Sequence, residues 1–354
     1  MKVGFGSTDW SKTVFDDNGY PVMGGAGWAR LGQYKDLLPY VTDIGVLIYK
    51  DGLFGVKDWE GELHFDHDVI VMQRAMFADI PDRIPGAQAN GQIIINDLDD
   101  WYWGLSTSNG AYAASHPKVN PNENINHYKS ILAASDHVTV STPYLADRIS
   151  SWVRCPITVI PNFVDTSKFT PRVQTDTDIP IVGWVGSTGH RSGDLEVLSG
   201  LLLPLVETGK IKLHHSGHLE SHPKFADAVK VPNELVSTLP MASPQNYPNL
   251  FQFDIGLVPL SDKPFNEAKS AIKGLEYAAA GVPFIASSTQ EYESLSANGI
   301  GFIAKKTRAW IGLIEALRDP AYRSEQASLV RERVSAFDIA NGVKVMNDFY
   351  MSLT

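Results

Sequence analysis

The chain has 354 residues, 44% of them apolar and 20% charged, with a net charge of −10 and one cysteine. That length predicts two domains, and the lone Cys155 excludes an internal disulfide and a thiolate-built zinc site. No apolar run approaches the roughly 20 residues that span a bilayer, and residues 1–120, with 9 Lys/Arg against 16 Asp/Glu, disfavour a polyanionic partner there.

The opening MKVGFGSTDW runs straight into a strand pattern, so no secretory signal is expected, and a reducing, cytoplasmic compartment fits the cysteine usage. Short β-branched runs then alternate with helix-like stretches, the pattern of a parallel α/β sheet. Strands are predicted at Lys2–Gly6, Ile44–Tyr49, Val69–Gln73, Gln92–Asn96, His137–Ser141 and Ile157–Ile160. Helices are predicted near Gly25–Leu38, Asn122–Ala134 and Pro143–Val153. The aperiodic stretch Asp97–Pro121, rich in Trp, Tyr, Ser, Asn and Gly, reads as a long functional loop.

Asn162–Pro180 breaks the alternation, and a domain boundary is expected near residues 163–179. Strands resume at Pro180–Gly186, Leu213–Ser216, Ile255–Pro259, Pro283–Ala286 and Gly301–Ala304. Helices are expected at Asp194–Leu205, Glu267–Ala280, Arg308–Leu317, Ala321–Val334 and Ile339–Ser352.

The most informative stretch is Asp254–Ser287, DIGLVPLSDKPFNEAKSAIKGLEYAAAGVPFIAS. Asn266 is the expected N-cap of its helix, Gly281 the residue after its end, and Pro283 the stop. On a continuous helix Lys269, Lys273 and Glu276 share one face. A cation in a first helical turn opposes the helix dipole, whereas a bound diphosphate reverses that sign and uses the free N–H groups. A solvated charged face is the bland alternative for these three residues.

The segment NEAKSAIKGLEYAAAGVPFIAS resembles the donor-site signature of the retaining, GT-B-fold glycosyltransferases of family 4, in the compact form seen in bacterial and phage genomes. The resemblance implies two Rossmann-like domains facing across a cleft: an acceptor-side domain at 1–165, a donor domain at 166–335, and a last helix at 336–354 crossing back onto the first domain. It implies a nucleotide diphosphate sugar as co-substrate, no further cofactor, diphosphate contacts from Lys269 or Lys273, and ribose contacts from Glu276. In many members a second glutamate lies seven residues before the ribose-binding one; here that position is Ala268. A phage-encoded chain of this kind would work in the host cytoplasm.

Other segments extend the expectation. Gly186, Ser187 and Thr188 in GWVGSTGHRSGDLEVL form a loop whose N–H groups suit a phosphate, with Arg191 adding a charge-assisted contact and Ser270 beside Lys269 completing the donor set. Gly24 and Gly25 permit a second helix start to face the same phosphates, or form only a mobile turn. In INDLDDWYWGL, Asp97 is placed on the acceptor side, Asp99 and Asp100 are candidates to orient or deprotonate the acceptor hydroxyl, and Trp101 and Trp103 are candidates to stack on a ring. A metal-binding DxD, or acids that cap a loop over core aromatics, are the alternatives. Arg74, at the end of its strand, points toward the same cleft.

The expected reaction is sugar transfer to a hydroxyl, metal-independent, with Asp99, Asp100, Arg191 and Lys269 nearest the chemistry and a protein or glycan as acceptor. A glycosyltransferase acting on hydroxymethylated DNA bases, a nucleotide-sugar epimerase and a non-catalytic nucleotide-sugar-binding module remain as alternatives.

Overall fold

Two mainly parallel sheets, formed one after the other along the chain, organise the molecule. The computed structural model describes residues 1–16, 18–190 and 193–353. The first sheet has eight strands, in spatial order Ile157–Val159, His137–Val140, Ile93–Leu98, Val69–Gln73, Val3–Ser7, Val41–Lys50, Leu53–Lys57 and Leu63–His64. The strands from Ile157–Val159 to Val41–Lys50 are mutually parallel, and the last two fold back antiparallel. Numbered by chain position, the parallel strands lie in the order 6-5-4-3-1-2. The direction of winding therefore reverses between Val3–Ser7 and Val69–Gln73.

The second sheet has six strands, all parallel: Val236–Pro240, Lys212–His218, Ile181–Ser187, Ile255–Val258, Phe284–Ser287 and Phe302–Ala304. Their chain order is 3-2-1-4-5-6, with the reversal between Ile181–Ser187 and Ile255–Val258. At such a reversal the connections leave to opposite faces and open a crevice beyond the strand C-termini, where ligands of open α/β sheets bind. Each sheet thus supplies one crevice.

Local chemistry explains the element ends. Val69–Gln73 and Ile255–Val258 are buried throughout because helices cover both faces of the sheet. Asn124, Thr142, Thr289, Asp319 and Asp338 each cap the helix that follows by accepting a backbone N–H. Gly281, at φ +66, ends the helix Ile272–Ala279: its N–H donates to Ala278 O and that of Val282 to Tyr277 O, the paired bonds of a Schellman motif.

The segment between the sheets is tied down rather than loose. The fully buried Asp254 carboxylate accepts hydrogen bonds from Arg172 Nε (3.0 Å), Thr175 Oγ1 (3.1 Å) and Ile181 N (2.8 Å). Buried Arg323 donates to the carbonyls of Thr175 and Thr177. The last helix, Ile339–Met351, returns to the first sheet, burying Ile339, Met346, Phe349 and Tyr350 against Val3, Phe5, Leu38, Val41 and Phe163.

Several expectations need correction. The helix predicted over Glu267–Ala280 is two pieces, Pro264–Glu267 and Ile272–Ala279. Asn266 caps neither. It is buried inside the first piece, and its amide donates to Asp194 Oδ1 (2.6 Å) and Ser261 O (2.8 Å). The stretch Asp97–Pro121 is not a plain loop, since it carries a short 3-10 turn at Tyr102–Gly104 and a helix at Gly110–Ser115. The strands Leu53–Lys57 and Val236–Pro240 and the helices Ile80–Ala89 and Gln290–Ala297 went unpredicted.

Truncating Phe349, buried between the last helix and the first sheet, in Phe349→Ala should cost about 3–5 kcal/mol. The expected readout is a lower urea midpoint with an unchanged slope.

Candidate active-site cleft

The C-terminal edges of the two sheets meet across a seam. Thr142 Oγ1, just past the strand His137–Val140, donates to Ala268 O (3.1 Å). Asn162 Nδ2 donates to Ser270 Oγ (2.7 Å), and Lys269 Nζ lies 3.8 Å from Asp100 Oδ1. Gly104, Ser106 and Asn109 from the first half and Asp194, Lys263 and Phe265 from the second line a small pocket along this seam. All three interdomain contacts fall on residues 268–271, the stretch that interrupts the predicted helix, so tertiary bonding there replaces helical bonding.

On the first-sheet side, the crevice at the winding reversal is floored by Ser7, whose Oγ donates to Gln73 Oε1 (2.5 Å). Arg74 adopts a left-handed backbone (φ +58), which turns its guanidinium onto Asp9 Oδ1 (2.6 Å) and over the Tyr102 ring (5.6 Å). The other Asp9 oxygen accepts the N–H of Gly27 (2.8 Å), inside the helix Gly25–Arg30. A Cβ at Gly24 would come within 2.5 Å of this carboxylate, so glycine is required for the close approach. The anion found beside Gly24 and Gly27 is therefore Asp9.

The three aspartates after the strand Ile93–Leu98 divide. Asp97 is buried and salt-bridged: Arg30 Nε and Nη2 reach its two oxygens (3.0 and 2.7 Å), and Thr139 Oγ1 donates to it (2.7 Å). It is a pillar under the cleft and has no oxygen to offer an acceptor, contrary to expectation. Asp99 faces the seam and accepts from Asn162 Nδ2 (3.1 Å). Burial, then the neighbouring Asp100 charge, push its pKa up to about 6, against the pull of Arg30. Asp100 is partly exposed and faces Lys269.

The aromatic residues are also corrected. Trp101 is buried and stacks on Trp152 (5.3 Å between centroids), while Trp103 stacks on Tyr128 (5.8 Å, 8° between planes). Each ring is engaged in the first-domain core, so neither is a platform for a sugar. With Asp97 committed to Arg30, the DxD metal reading loses a ligand too. Among the described residues, the His/Asp group close enough to share an ion is Asp43, Asp66 and His67, at the N-terminal edge of the sheet, away from the cleft.

On the second-sheet side, Gly186, Ser187 and Thr188 lie where the strand Ile181–Ser187 runs out at the winding reversal. Ser187 Oγ pairs with Ser221 Oγ (2.8 Å), and the buried Thr188 hydroxyl has no hydrogen-bond partner among the described residues. Arg191 lies outside the described residues. Asp194 binds the facing loop, accepting from Ser261 N (3.1 Å), Ser261 Oγ (2.7 Å) and Asn266 Nδ2 (2.6 Å). Lys273 donates to Val185 O with its ammonium 5.6 Å from the Trp184 ring centroid, and Glu276 Oε2 accepts from Tyr247 (2.9 Å). Lys269 precedes the helix that carries Lys273 and Glu276, so the three do not share one helical face. Its ammonium packs 4.3 Å from the Phe265 ring centroid.

This two-crevice arrangement has close structural counterparts. HepE from Anabaena, solved with UDP-glucose, aligns over 99% of this chain and 100% of its own, at 11% identity and a TM-score of 0.64. Sucrose-phosphate synthase from Thermosynechococcus elongatus aligns over 82% of this chain and 74% of its own, at 17% identity and a TM-score of 0.57. A glycosyltransferase from Rickettsia africae aligns over 80% and 76%, at 14% identity and a TM-score of 0.55. The fold is GT-B. At these identities the likeness is one of fold, and no protein-family model and no curated protein sequence matches the chain. Among the described residues no helix is long and apolar enough to cross a membrane.

Asp9 and Arg74 pair beside the first winding reversal, Gly186–Thr188 and the Lys273 contact lie at the end of the strand Ile181–Ser187, and Lys269 lies at the seam. Sequence reasoning missed Asp9, Arg30, Asp194 and Tyr247, and assigned no chemistry to Asn162, although its segment IPNFVDTSKF stands out as an interdomain stretch. No local signal marks Arg30 or Tyr247, because their partners lie 67 and 29 residues away.

Arg30→Met strands the Asp97 carboxylate without its cation. A loss of about 3–5 kcal/mol in chemical denaturation is expected. The double variant Arg30→Met/Asp97→Asn should recover part of it, since no charge is then left buried alone.

Proposed function

We infer that this chain transfers a sugar from a nucleoside diphosphate sugar to an acceptor hydroxyl, with retention of anomeric configuration. The observation that carries the inference is the second crevice. The loop Gly186–Thr188 ends the first strand of a sheet ordered 3-2-1-4-5-6, Lys273 bonds Val185 beside that loop, Glu276 lies about one turn further along the same helix, and Lys269 faces Asp100. A dinucleotide-type sheet offers a nucleotide its backbone N–H groups there, and ammonium groups nearby supply the charge a diphosphate needs. A GT-B neighbour solved with UDP-glucose is consistent with this donor class.

The roles follow from the chemistry of each group. Lys269 and Arg191 neutralise the charge that develops on the departing diphosphate, the largest electrostatic demand of the step. Lys273 lines the phosphate end, and Glu276 accepts hydrogen bonds from ribose hydroxyls. With cations already provided by side chains, the reaction is proposed to need no metal. Asp99, whose carboxyl burial and then Asp100 push up to about 6, is the residue proposed to accept the proton of the acceptor hydroxyl. The acidic balance of residues 1–120 favours a glycan or protein acceptor over DNA.

Thermal stabilisation across a panel of nucleoside diphosphates and their sugars is the first test. One nucleotide and its sugar should raise Tm in the native chain and not in Glu276→Ala; no shift with any of them would remove the donor assignment. Lys269→Ala and Arg191→Ala should each lower turnover about 100-fold or more with the fold intact. Chelator should leave turnover unchanged, and an epimerase or a pure binder would show no acceptor-dependent product.

The pH dependence has a defined sign. Asp99 acts as its anion, so activity should fall as pH drops through about 6. Asp100→Asn removes the like charge that raises this pKa, so the acid limb of kcat/KM should move to lower pH. A limb that stays in place would overturn the assignment of Asp99.

A further inference from the structure

The side-chain amide of Asn162 is fully used, and its orientation is fixed. Arg30 Nη1 lies 3.0 Å from Asn162 Oδ1, and a guanidinium can only donate, so the amide oxygen must face it. The NH2 end then faces the seam. One of its hydrogens goes to Asp99 Oδ1 (3.1 Å) in the first domain and the other to Ser270 Oγ (2.7 Å) in the second. Asn162 is buried, so these bonds form away from bulk water. Arg30 is itself immobilised by Asp97 and by Ile160 O (2.5 Å).

We propose that Asn162 is a positioning residue that joins two events: it aims and stabilises the Asp99 carboxylate, and it docks the donor-domain loop 268–271 against the first domain. The proposal rests on the function inferred above only in calling Asp99 the acceptor-side base. The same amide serves both partners, so a displacement of loop 268–271 is felt at Asp99 through one side chain. Lys269 in that loop also meets Asp100, the neighbour that most directly burdens Asp99 with like charge.

The groups that face Asp99 are Asp100 on its own segment, Asp97 from the strand beneath, Arg30 from the helix Gly25–Arg30, the Ser141 hydroxyl, and the Asn162 amide. Asp100 and Asp97 disfavour its anion, while Arg30 and a hydrogen bond from Ser141 favour it; the Asn162 donor, bonding the carboxylate oxygen, favours the anion too. Removing the amide donor therefore moves the Asp99 titration upward. Exchanging it for a carboxylate moves it further.

The test is a carboxyl 13C titration of the full chain, with the Asp99 signal assigned by its loss in Asp99→Asn. In Asn162→Ala the Asp99 midpoint should rise by about half a pH unit, and in Asn162→Asp, which keeps an acceptor for Arg30, by about one or more. Amide hydrogen exchange of residues 268–271 should accelerate in both Asn162→Ala and Ser270→Ala, while Ser270→Ala, which keeps the amide bond to Asp99, should move the Asp99 midpoint less than Asn162→Ala does. Faster exchange without any change in the Asp99 midpoint in either Asn162 variant would reduce Asn162 to a structural bond and overturn the proposal. A raised midpoint in a chain whose turnover ignores Asp99→Asn would uphold Asn162 as the positioning residue and remove Asp99 as the base.

Discussion

Beneath the cleft, the Arg30 guanidinium and the Asp97 carboxylate are buried against each other, 3% and 5% exposed. Ions so far from water persist only when their remaining hydrogen-bonding capacity is met. Here Thr139, Ile160 O and Asn162 meet it. The consequences reach well beyond the pair. It joins the helix Gly25–Arg30 to the strand Ile93–Leu98 and fixes the orientation of the Asn162 amide. Through Asn162 it sets both the Asp99 carboxylate and the contact with Ser270. The geometry of the first-domain wall of the cleft depends on this one interaction.

A second theme is that the cleft already pairs charges of its own. Asp9 sits on the glycine turn at the start of the helix Gly25–Arg30 and also holds Arg74; Lys269 faces Asp100; the Lys273 ammonium bonds the Val185 carbonyl. Under the proposed function, these are the charges and donors that a substrate's phosphate or hydroxyl would meet. A ligand that enters exchanges partners with these groups rather than meeting unpaired charges, so the cleft need not carry uncompensated charge between turnovers. The differential affinity available to such a ligand is correspondingly the difference between two sets of contacts.

Much of the architecture was legible in the amino-acid order. Every strand predicted in either half corresponds to an observed one, and Val69–Gln73 coincides at both ends. Central strands such as Val69–Gln73, Val3–Ser7 and Ile255–Val258 are buried on both faces, so their apolar runs are continuous and distinct from the flanking turns. The missed elements lack that contrast. Val236–Pro240 is an edge strand that is largely exposed and ends in a proline, and Leu53–Lys57 carries Gly55 against the neighbouring strand. The split of the predicted Glu267–Ala280 helix had no local cause at all. Its interrupting residues bond Thr142, Asn162 and Asp100, which belong to the other domain.

The sequence alone determined the two α/β runs of strands and helices, and the concentration of basic and acidic candidates after Gly186, around Lys269 and after Ile95. Periodicity, capping residues and the Gly281–Val282–Pro283 turn encode these features locally, within a few residues of where they act. Tertiary structure alone decided the division of labour among candidates of equal appearance: Asp97 became a buried pillar and Asp99 a cleft carboxylate, the tryptophans became core, and Asn162 joined both walls. That division turns on which side chain finds a partner tens of residues away, and on which is cut off from water by the second domain. Such long-range partnerships leave no period or spacing in the chain.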